Sequence, residues 1–242
     1  MRRARFRRWF LRSVAATLLL PLGFLGWNRA TNNFATLAPG RTYRSGQMPA
    51  ETLARTIRAR EIRTVLNLRG SNPSEPWYRA ERSATLGAGA TQIDIAMSSC
   101  LWMSRAQLRA LVHVLDTCEY PLLIHCAWGS ERTGLASAFA ELLRPGSTLD
   151  DARAQFSIRY LFVRAGDGKI MAEHLDQYEA WLRARAARHH PDRFRRWAAE
   201  GYRPGRPGRE QWPYDPFPLV VVTRPEAPDR QAESRTGLID RK

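Results

Sequence analysis

The segment from Pro121 to Leu143 constrains the fold more than any other part of the chain. Its first five residues, which begin with a proline and end at His125, are mostly apolar, and this pattern predicts a buried strand. Residues 133–143 have the composition of a helix, and a tight loop that begins at Cys126 lies between the two. A strand, a tight loop and a helix N-terminus in that order predict an anion-binding site. Backbone N–H groups converge there, and the helix dipole adds positive charge.

Within this loop a cysteine and an arginine stand six positions apart, at Cys126 and Arg132. A helix N-terminus and an adjacent cation can lower a thiol pKa from about 8.5 to below about 7, which makes the sulfur a nucleophile. The planar guanidinium of Arg132 can hold two phosphate oxygens at once, which a lysine cannot do. Thr133 is placed to donate its hydroxyl to the sulfur. We expect His125 to orient the loop rather than to act as a base.

The residues from His125 to Gly134 read HCAWGSERTG and contain the pattern His-Cys-x5-Arg-Ser/Thr. This pattern resembles the signature of the cysteine-dependent protein tyrosine phosphatase superfamily, in particular its compact dual-specificity branch. Residues 37–49 and 62–70 resemble the first segment and first core strand of bacterial members, and the resemblance covers roughly residues 34–182.

The resemblance implies a phosphoric monoester hydrolase of the protein tyrosine or dual-specificity type, which acts through a phosphocysteine intermediate. It implies that Cys126 is the nucleophile and that no metal or other cofactor takes part. The residues that it assigns to phosphate binding are Ala127, Trp128, Gly129, Ser130, Glu131 and Arg132.

The family also uses an aspartate, on a loop facing the nucleophile, to protonate the leaving oxygen. Asp94 lies 32 residues before Cys126 (126 − 94), near the end of a predicted strand, and is our predicted general acid. The alternative is a strand-end carboxylate in a cap or an ion pair. In that case the equivalent position is Ser98 or Ser99, neither of which can act as an acid.

The loop also bears on the substrate, because no cation precedes Arg132 within it. This argues against a highly charged polyphosphate and favours a phosphorylated protein or a small phosphoester. Glu131 is expected to point outward and temper the charge of the site. Trp128 either stacks on an aryl phosphate or packs beneath the loop.

Two other function classes compete with a phosphatase. One is a catalytically dead module that reads phosphate groups at a membrane. The other is a sulfurtransferase of the rhodanese kind, although those loops are usually one residue shorter and lack the trailing Thr-Gly.

Predicted strands alternate with predicted helices along the middle of the chain. This order indicates an α/β layered fold, with a central, mainly parallel sheet flanked by helices, over a catalytic domain of residues 31–187. Ser104 and Gln107 form a predicted capping box, and Thr148 is a second predicted helix cap. The phosphate loop is expected at the carboxyl end of a central strand, where open α/β sheets bind ligands.

The formal net charge of +15 is concentrated near the two ends of the chain. Residues 1–12 carry six arginines and no acid, and residues 183–209 carry nine arginines. Because the basic residues form two blocks near the ends of the chain, we expect a membrane-flanking segment and an interaction tail, and not a nucleic-acid-binding surface. The odd number of cysteines fits one reactive thiol; Cys100 and Cys118 either protect Cys126 by reversible disulfide formation or are ordinary thiols.

Residues 1–30 combine a basic start with an apolar stretch, Ser13 to Trp27, that is marginal for a bilayer span. They predict an uncleaved single-pass anchor in a bacterial inner membrane, with the catalytic domain on the periplasmic side. The alternative is export to the periplasm through a signal resembling the twin-arginine type, at Arg7 and Arg8. Residues 188–242 predict a basic extension rich in Pro and Arg, in which Leu219 to Val222 either add an edge strand or are disordered.

Overall fold

A six-stranded sheet forms the centre of the fold in the computed structural model of the chain, which describes residues 17, 19–166, 168–205 and 213–225. The strands are β1 (Ala35–Ala38), β2 (Thr42–Ser45), β3 (Thr64–Asn67), β4 (Thr91–Asp94), β5 (Leu122–His125) and β6 (Val221–Thr223). Their spatial order is β1-β2-β5-β3-β4-β6. The four inner strands are parallel, and the two outer strands pair antiparallel with their neighbours. The predicted fold class, an α/β fold with a mainly parallel sheet, is confirmed.

Helices cover both faces of the sheet. They are α1 (residues 19–30), α2 (Ala50–Ala59), α3 (Pro76–Gly87), α4 (Arg105–Thr117), α5 (Glu131–Leu143), α6 (Leu149–Arg153), α7 (Lys169–Arg183) and α8 (Pro191–Arg196). In β5, Leu122 and Ile124 pack in the core formed with α4, α5 and α7, whereas Leu123 packs in a second core with α2. Successive side chains of a strand point to opposite faces, so this fully apolar strand needs cover on both sides.

The two predicted helix caps form, but not in the same way. Thr148 and Asp151 make a complete capping box at the start of α6. At α4 the Ser104 hydroxyl accepts a bond from the Gln107 backbone N–H at 3.0 Å. The Gln107 side chain does not return to Ser104 and instead donates to the carbonyl oxygen of Ala96, just beyond β4. This bond ties the start of α4 to the end of the strand that precedes it.

Residues beyond the predicted domain boundary at residue 187 pack on the main core. In α8 and the π-helical turn that follows it, Phe194 and Trp197 are fully buried in the main core. The ring of Phe194 lies 5.0 Å from that of Phe139 in α5, and the Tyr202 hydroxyl donates to the Met103 carbonyl at 2.7 Å. The chain then adds β6 beside β4, which confirms the edge-strand alternative. Within the described residues, Phe194, Trp197, Tyr202 and β6 therefore pack with the core and the sheet of the predicted catalytic domain.

At the N-terminus, the predicted anchor from Ser13 to Trp27 lies partly outside the described residues. Within the parts of the chain that the structure describes, no helix combines the length and the apolar composition needed to cross a bilayer. In α1 itself, the side chains from residue 19 to Trp27 are exposed.

We expect Phe194→Ala to lower the free energy of unfolding by about 3 kcal/mol, because it leaves a cavity in the main core. The matched control is Phe217→Ala, since Phe217 is 97% exposed, and it should change stability by less than about 0.5 kcal/mol. Urea unfolding of the full chain measures both values. Equal effects of the two substitutions would show that the C-terminal segment is not part of the folded core.

Candidate active site

The predicted strand, loop and helix around Cys126 are all present. β5 ends at His125, α5 begins at Glu131, and the phosphate loop, defined here as residues 126–132, connects them. Cys126 is 1% exposed, so its sulfur is removed from bulk water. The nucleophile therefore lies at the carboxyl end of a central strand and close to the N-terminus of a helix, as the sequence predicts.

Gly129 allows the phosphate loop to press against the end of β2. Its φ is +72°, in the left-handed region that favours glycine. A Cβ atom at this position would lie 2.6 Å from the Gly46 nitrogen and 2.8 Å from the Ser45 oxygen. Because both atoms belong to the backbone, neither can give way. Any other residue would force the loop away from the sheet.

Three donors, two from side chains and one from the backbone, bind the carbonyl groups of the phosphate loop. Asn33 Nδ2 donates to the carbonyls of Trp128 at 3.1 Å and Gly129 at 3.3 Å. Arg44 Nη2 donates to the Gly129 carbonyl at 2.7 Å, and the Gln47 backbone N–H donates to the Ala127 carbonyl at 3.1 Å. In a trans peptide the C=O and the next N–H point in opposite directions. With these carbonyls held outward, the N–H groups of residues 128–130 face inward toward the sulfur.

Arg44 is a fully buried cation beneath the loop, and the sequence analysis did not identify it. Its guanidinium also donates to Gln155, at 2.9 Å to the side chain and 3.0 Å to the carbonyl, and lies 3.7 Å from the ring centroid of Tyr160. Burial lowers its pKa to about 10, against the opposing effects of Tyr160 and Cys126. Arg44 therefore stays charged at neutral pH and adds positive potential below the thiolate.

The pKa of the Cys126 thiol falls below its ordinary value of 9.0. Burial by itself raises this pKa, but the charge of Arg132 and hydrogen bonds from Thr133 and the Gly129 backbone lower it by more. Thr133 is itself fully buried and also lies 3.4 Å from the Ser45 carbonyl. The site thus stabilises a sulfur anion in a place where an isolated charge would be unfavourable.

Arg132 keeps part of its guanidinium free. Nη1 makes long contacts to the carbonyls of Leu68 at 3.4 Å and Met97 at 3.3 Å, which places the side chain across the ends of β3 and β4. Its Nε is buried and has no hydrogen-bond partner among the described residues, and the same holds for the Ser130 hydroxyl. Both groups are donors that a bound oxyanion can satisfy.

Residues 25–144 match the sequence profile of the tyrosine phosphatase family. The chain belongs to this family. It is therefore a cysteine-dependent phosphatase, and the match includes the phosphate loop and the strands and helices that hold it. A search of curated proteins returned no significant match.

Similar solved structures include the core catalytic domain of the PP-IP phosphatase Siw14 from S. cerevisiae in complex with citrate. That chain is 21% identical, the similarity covers 64% of this chain and 92% of that one, and the TM-score is 0.46. Another is a cysteine-to-serine variant of TpbA from P. aeruginosa in complex with pTyr. It is 18% identical over 60% of this chain and 91% of that one, with a TM-score of 0.42.

In this phosphatase a buried carboxylate pairs with the histidine that precedes the nucleophile. Glu81 of α3 and His125 are both buried, and Glu81 Oε1 lies 3.2 Å from His125 Nε2. Burial lowers the pKa of His125, but Glu81 and the neighbouring Cys126 raise it above its ordinary value of 6.5. The other Glu81 oxygen accepts from Gln47, which in turn accepts from Arg69 at 2.7 Å. An imidazolium at His125 adds a cation next to the thiolate.

The predicted general acid, Asp94, lies in a buried hydrogen-bond network. The residue is 2% exposed at the end of β4, and both carboxylate oxygens are engaged. Oδ1 accepts from Asn67 at 2.8 Å and Gln92 at 3.0 Å, and Oδ2 accepts from the Tyr78 hydroxyl at 2.5 Å. Asp94 therefore joins a buried network under α3, which corresponds to the structural alternative. The period of two along β4 turns it away from the face that packs on α4 and α5.

Trp128 lies at the surface of the phosphate loop, and Glu131 lies where the loop meets α5. Trp128 is 62% exposed, with the guanidinium of Arg29 5.6 Å from its ring centroid, so it does not pack beneath the loop. Glu131 is half-buried in the first turn of α5, and a Cβ at Gly168 would lie 3.3 Å from its Cγ. Cys100 is exposed and Cys118 is partly buried.

We expect Glu81→Gln to raise the pKa of the Cys126 thiol, because a neutral His125 no longer stabilises the thiolate beside it. The rate of alkylation by iodoacetamide, measured against pH, reports the thiolate fraction, and its midpoint should move to higher pH. The matched control is Glu141→Gln, since Glu141 is also buried and paired, with Arg144 at 2.6 Å. It should leave the midpoint in place. If both variants keep the wild-type midpoint, His125 does not contribute its charge to the site.

Proposed function

We propose that the chain hydrolyses phosphoric monoesters of proteins or of small molecules in two steps at Cys126. The observation that carries the proposal is the phosphate loop itself, in which a buried cysteine and the unpaired donors of Arg132 and Ser130 belong to one short loop. The pKa of the Cys126 thiol is lowered in this loop, mainly by the charge of Arg132. A structural cysteine in such a position would have a raised pKa, as Cys118 does, where burial raises the pKa to about 11. The energy that stabilises the sulfur anion comes from groups that also fit a phosphate dianion.

In the first step the Cys126 thiolate attacks phosphorus in line with the leaving oxygen. A sulfur–phosphorus bond forms and the phosphorus–oxygen bond breaks. The leaving oxygen takes the proton of the monoanionic phosphate group and departs as an alcohol or phenol. The free donors of Arg132 and the inward N–H groups of residues 128–130 hold the equatorial oxygens. Their charge and dipoles stabilise the negative charge of the transition state without further reorganisation.

In the second step water attacks the same phosphorus and the sulfur–phosphorus bond breaks. The electron pair returns to sulfur, and inorganic phosphate leaves. Thr133 donates its hydroxyl to the departing thiolate and so lowers the cost of its release. Dual specificity fits this site, because the phosphate loop carries the exposed Trp128 and no lysine.

We expect the full chain to hydrolyse an aryl phosphate in the presence of a chelator. Cys126→Ser should abolish turnover, and Arg132→Lys should lower kcat/KM by on the order of 100-fold, because a lysine cannot form the bidentate contact. The matched control is Arg153→Lys, since Arg153 forms ion pairs with Asp176 and Glu179 outside the phosphate loop. It should change kcat/KM by less than about twofold.

The competing outcomes of this assay are distinct. Phosphate binding by the wild type without any turnover would identify a module that reads phosphate groups, and not an enzyme. Turnover that survives Cys126→Ser would remove the cysteine mechanism.

We also propose that residues 1–30 attach the phosphatase to a bacterial inner membrane with the catalytic domain in the periplasm. The support is the basic and apolar sequence of this segment and the exposed apolar side chains of α1. We expect the full chain to sediment with membranes after a carbonate wash, and a chain that starts at Thr31 to stay in the supernatant. Recovery of a shortened, soluble mature chain from the periplasm would instead support a cleaved export signal.

A further inference from the structure

A cavity of about 850 Å³ lies beside the phosphate loop. Ala127 and Trp128, which directly follow the nucleophile, form part of its wall, and α1 and α3 contribute the opposite sides. Cys126 and Arg132 are not among the lining residues. The cavity therefore adjoins the phosphate loop, and Asn33 and Gln47, which bind the loop carbonyls, also line it.

The walls of this cavity are largely apolar. They include Leu25 of α1, Trp77 and Ala80 of α3, and Met48, Trp128 and Leu161. Glu81 also lines it, but its carboxylate is already engaged by His125 and Gln47. Asn28, Asn32, Asn33 and Gln47 also line the cavity. The amide groups of a peptide that do not reach these side chains would stay unpaired against the apolar walls, at a cost in free energy. A hydrocarbon chain brings no such groups and gains from leaving water.

Two arginines give the cavity a cationic side. Arg69 lies 3.4 Å from the ring centroid of Trp77, and Arg29 lies 5.6 Å from that of Trp128. Arg69 also donates to the Gln47 side chain at 2.7 Å. Burial lowers the pKa of Arg69, and the charge of Arg132 lowers it further. The cavity thus combines an apolar interior with positive charge on the side of the phosphate loop.

The helix that closes the cavity carries apolar side chains on its outer surface as well. Leu19, Leu20, Leu22 and Trp27 are each at least 63% exposed, and Leu25 of the same helix lines the cavity. Contiguous exposed apolar groups on one helix indicate a contact with other apolar material. Apolar side chains of α1 therefore lie both on its outer surface and in the cavity wall, so a bound hydrocarbon chain can contact both.

We propose that this cavity binds the hydrocarbon body of a lipid-like phosphate monoester while its phosphate enters the loop. The inference rests on the proposed phosphatase function and assigns its substrate class. The anionic head of such a molecule matches Arg69 and Arg132, and its chain matches the walls of leucine, methionine and tryptophan.

The test is a series of soluble straight-chain alkyl monophosphates, from butyl to octyl, below their micellar concentrations. These substrates have nearly the same leaving group, so differences in kcat/KM report binding of the chain. A fully buried methylene contributes at most about a fourfold gain, and we expect the full chain to favour octyl over butyl phosphate by at least about 10-fold.

Two substitutions in the cavity should remove this preference. Leu25→Glu places a charge in the wall, and Ala80→Trp fills the space, and both should reduce the octyl-to-butyl ratio to within about twofold of unity. The matched control is Leu19→Glu, which changes an exposed leucine of α1 outside the cavity lining and should keep the ratio. Retained turnover of butyl phosphate shows that each variant is folded.

Each outcome of these assays supports or overturns the phosphatase function or the lipid-like substrate. A wild type that hydrolyses aryl and butyl phosphates but shows no chain-length preference keeps the phosphatase function and overturns the lipid-like substrate. A preference that survives both cavity variants also overturns it. If the preference for a phosphotyrosine peptide over phosphotyrosine is lost in those variants while the alkyl series is flat, the cavity binds peptide. A wild type without any turnover overturns the phosphatase function, and the substrate assignment with it.

Discussion

A sulfur anion can exist at Cys126 only if fixed charges and dipoles replace the water that burial removes. Arg132 and the inward N–H groups supply this replacement from the open side of the loop, and Arg44 supplies it from below. Much of the surrounding architecture keeps those groups in place. Asn33, Arg44 and Gln47, all on the first strands or the segments next to them, hold the carbonyls of residues 127–129 and so determine the direction of the amides.

The two faces of the sheet differ in polarity and in the residues that they place near the site. The face under α4, α5 and α7 is almost entirely apolar and contributes most of the hydrophobic burial. On the other face the strand ends carry Asn67, Asp94 and His125, and α3 adds Tyr78 and Glu81. Buried polar groups of this kind are stable only when they are paired. The same packing that stabilises α3 therefore places a carboxylate next to the histidine that precedes the nucleophile.

The sequence predicts the parts of this site that depend on local order. The apolar run before Cys126 and the helical composition after it predict the strand, the loop and the helix, and all three are present. Thr148 and Ser104 cap helices as predicted, because a cap depends on residues three positions apart. The spacing of Asp94 from Cys126 does not predict the hydrogen-bond partners of Asp94. A spacing counts residues, but not the face of the strand on which they lie, and two of the three donors to Asp94 come from β3 and α3.

The sequence does not predict the site residues that lie far from the phosphate loop along the chain, for the same reason. Arg44 and Glu81 each lie more than 40 residues before the loop, and no local pattern marks an arginine or glutamate that becomes buried. The segment around Arg44 resembles the family, but the role of Arg44 depends on how closely the Gly129 carbonyl lies to it in the folded chain. The C-terminal segment is basic in composition and so predicts an exposed extension. Its aromatic residues Phe194, Trp197 and Tyr202 nevertheless pack into the main core.

The pairing of β6 with β4 has a consequence for how the protein is made. Asp94 lies opposite Val221, so the sheet lacks β6 until residues 221–223 have been synthesised. Until then the free edge of β4 exposes unpaired backbone groups to other chains. A ribosome that pauses late in the message would therefore hold a nascent enzyme whose nucleophile loop is already complete but whose sheet can still recruit a foreign strand.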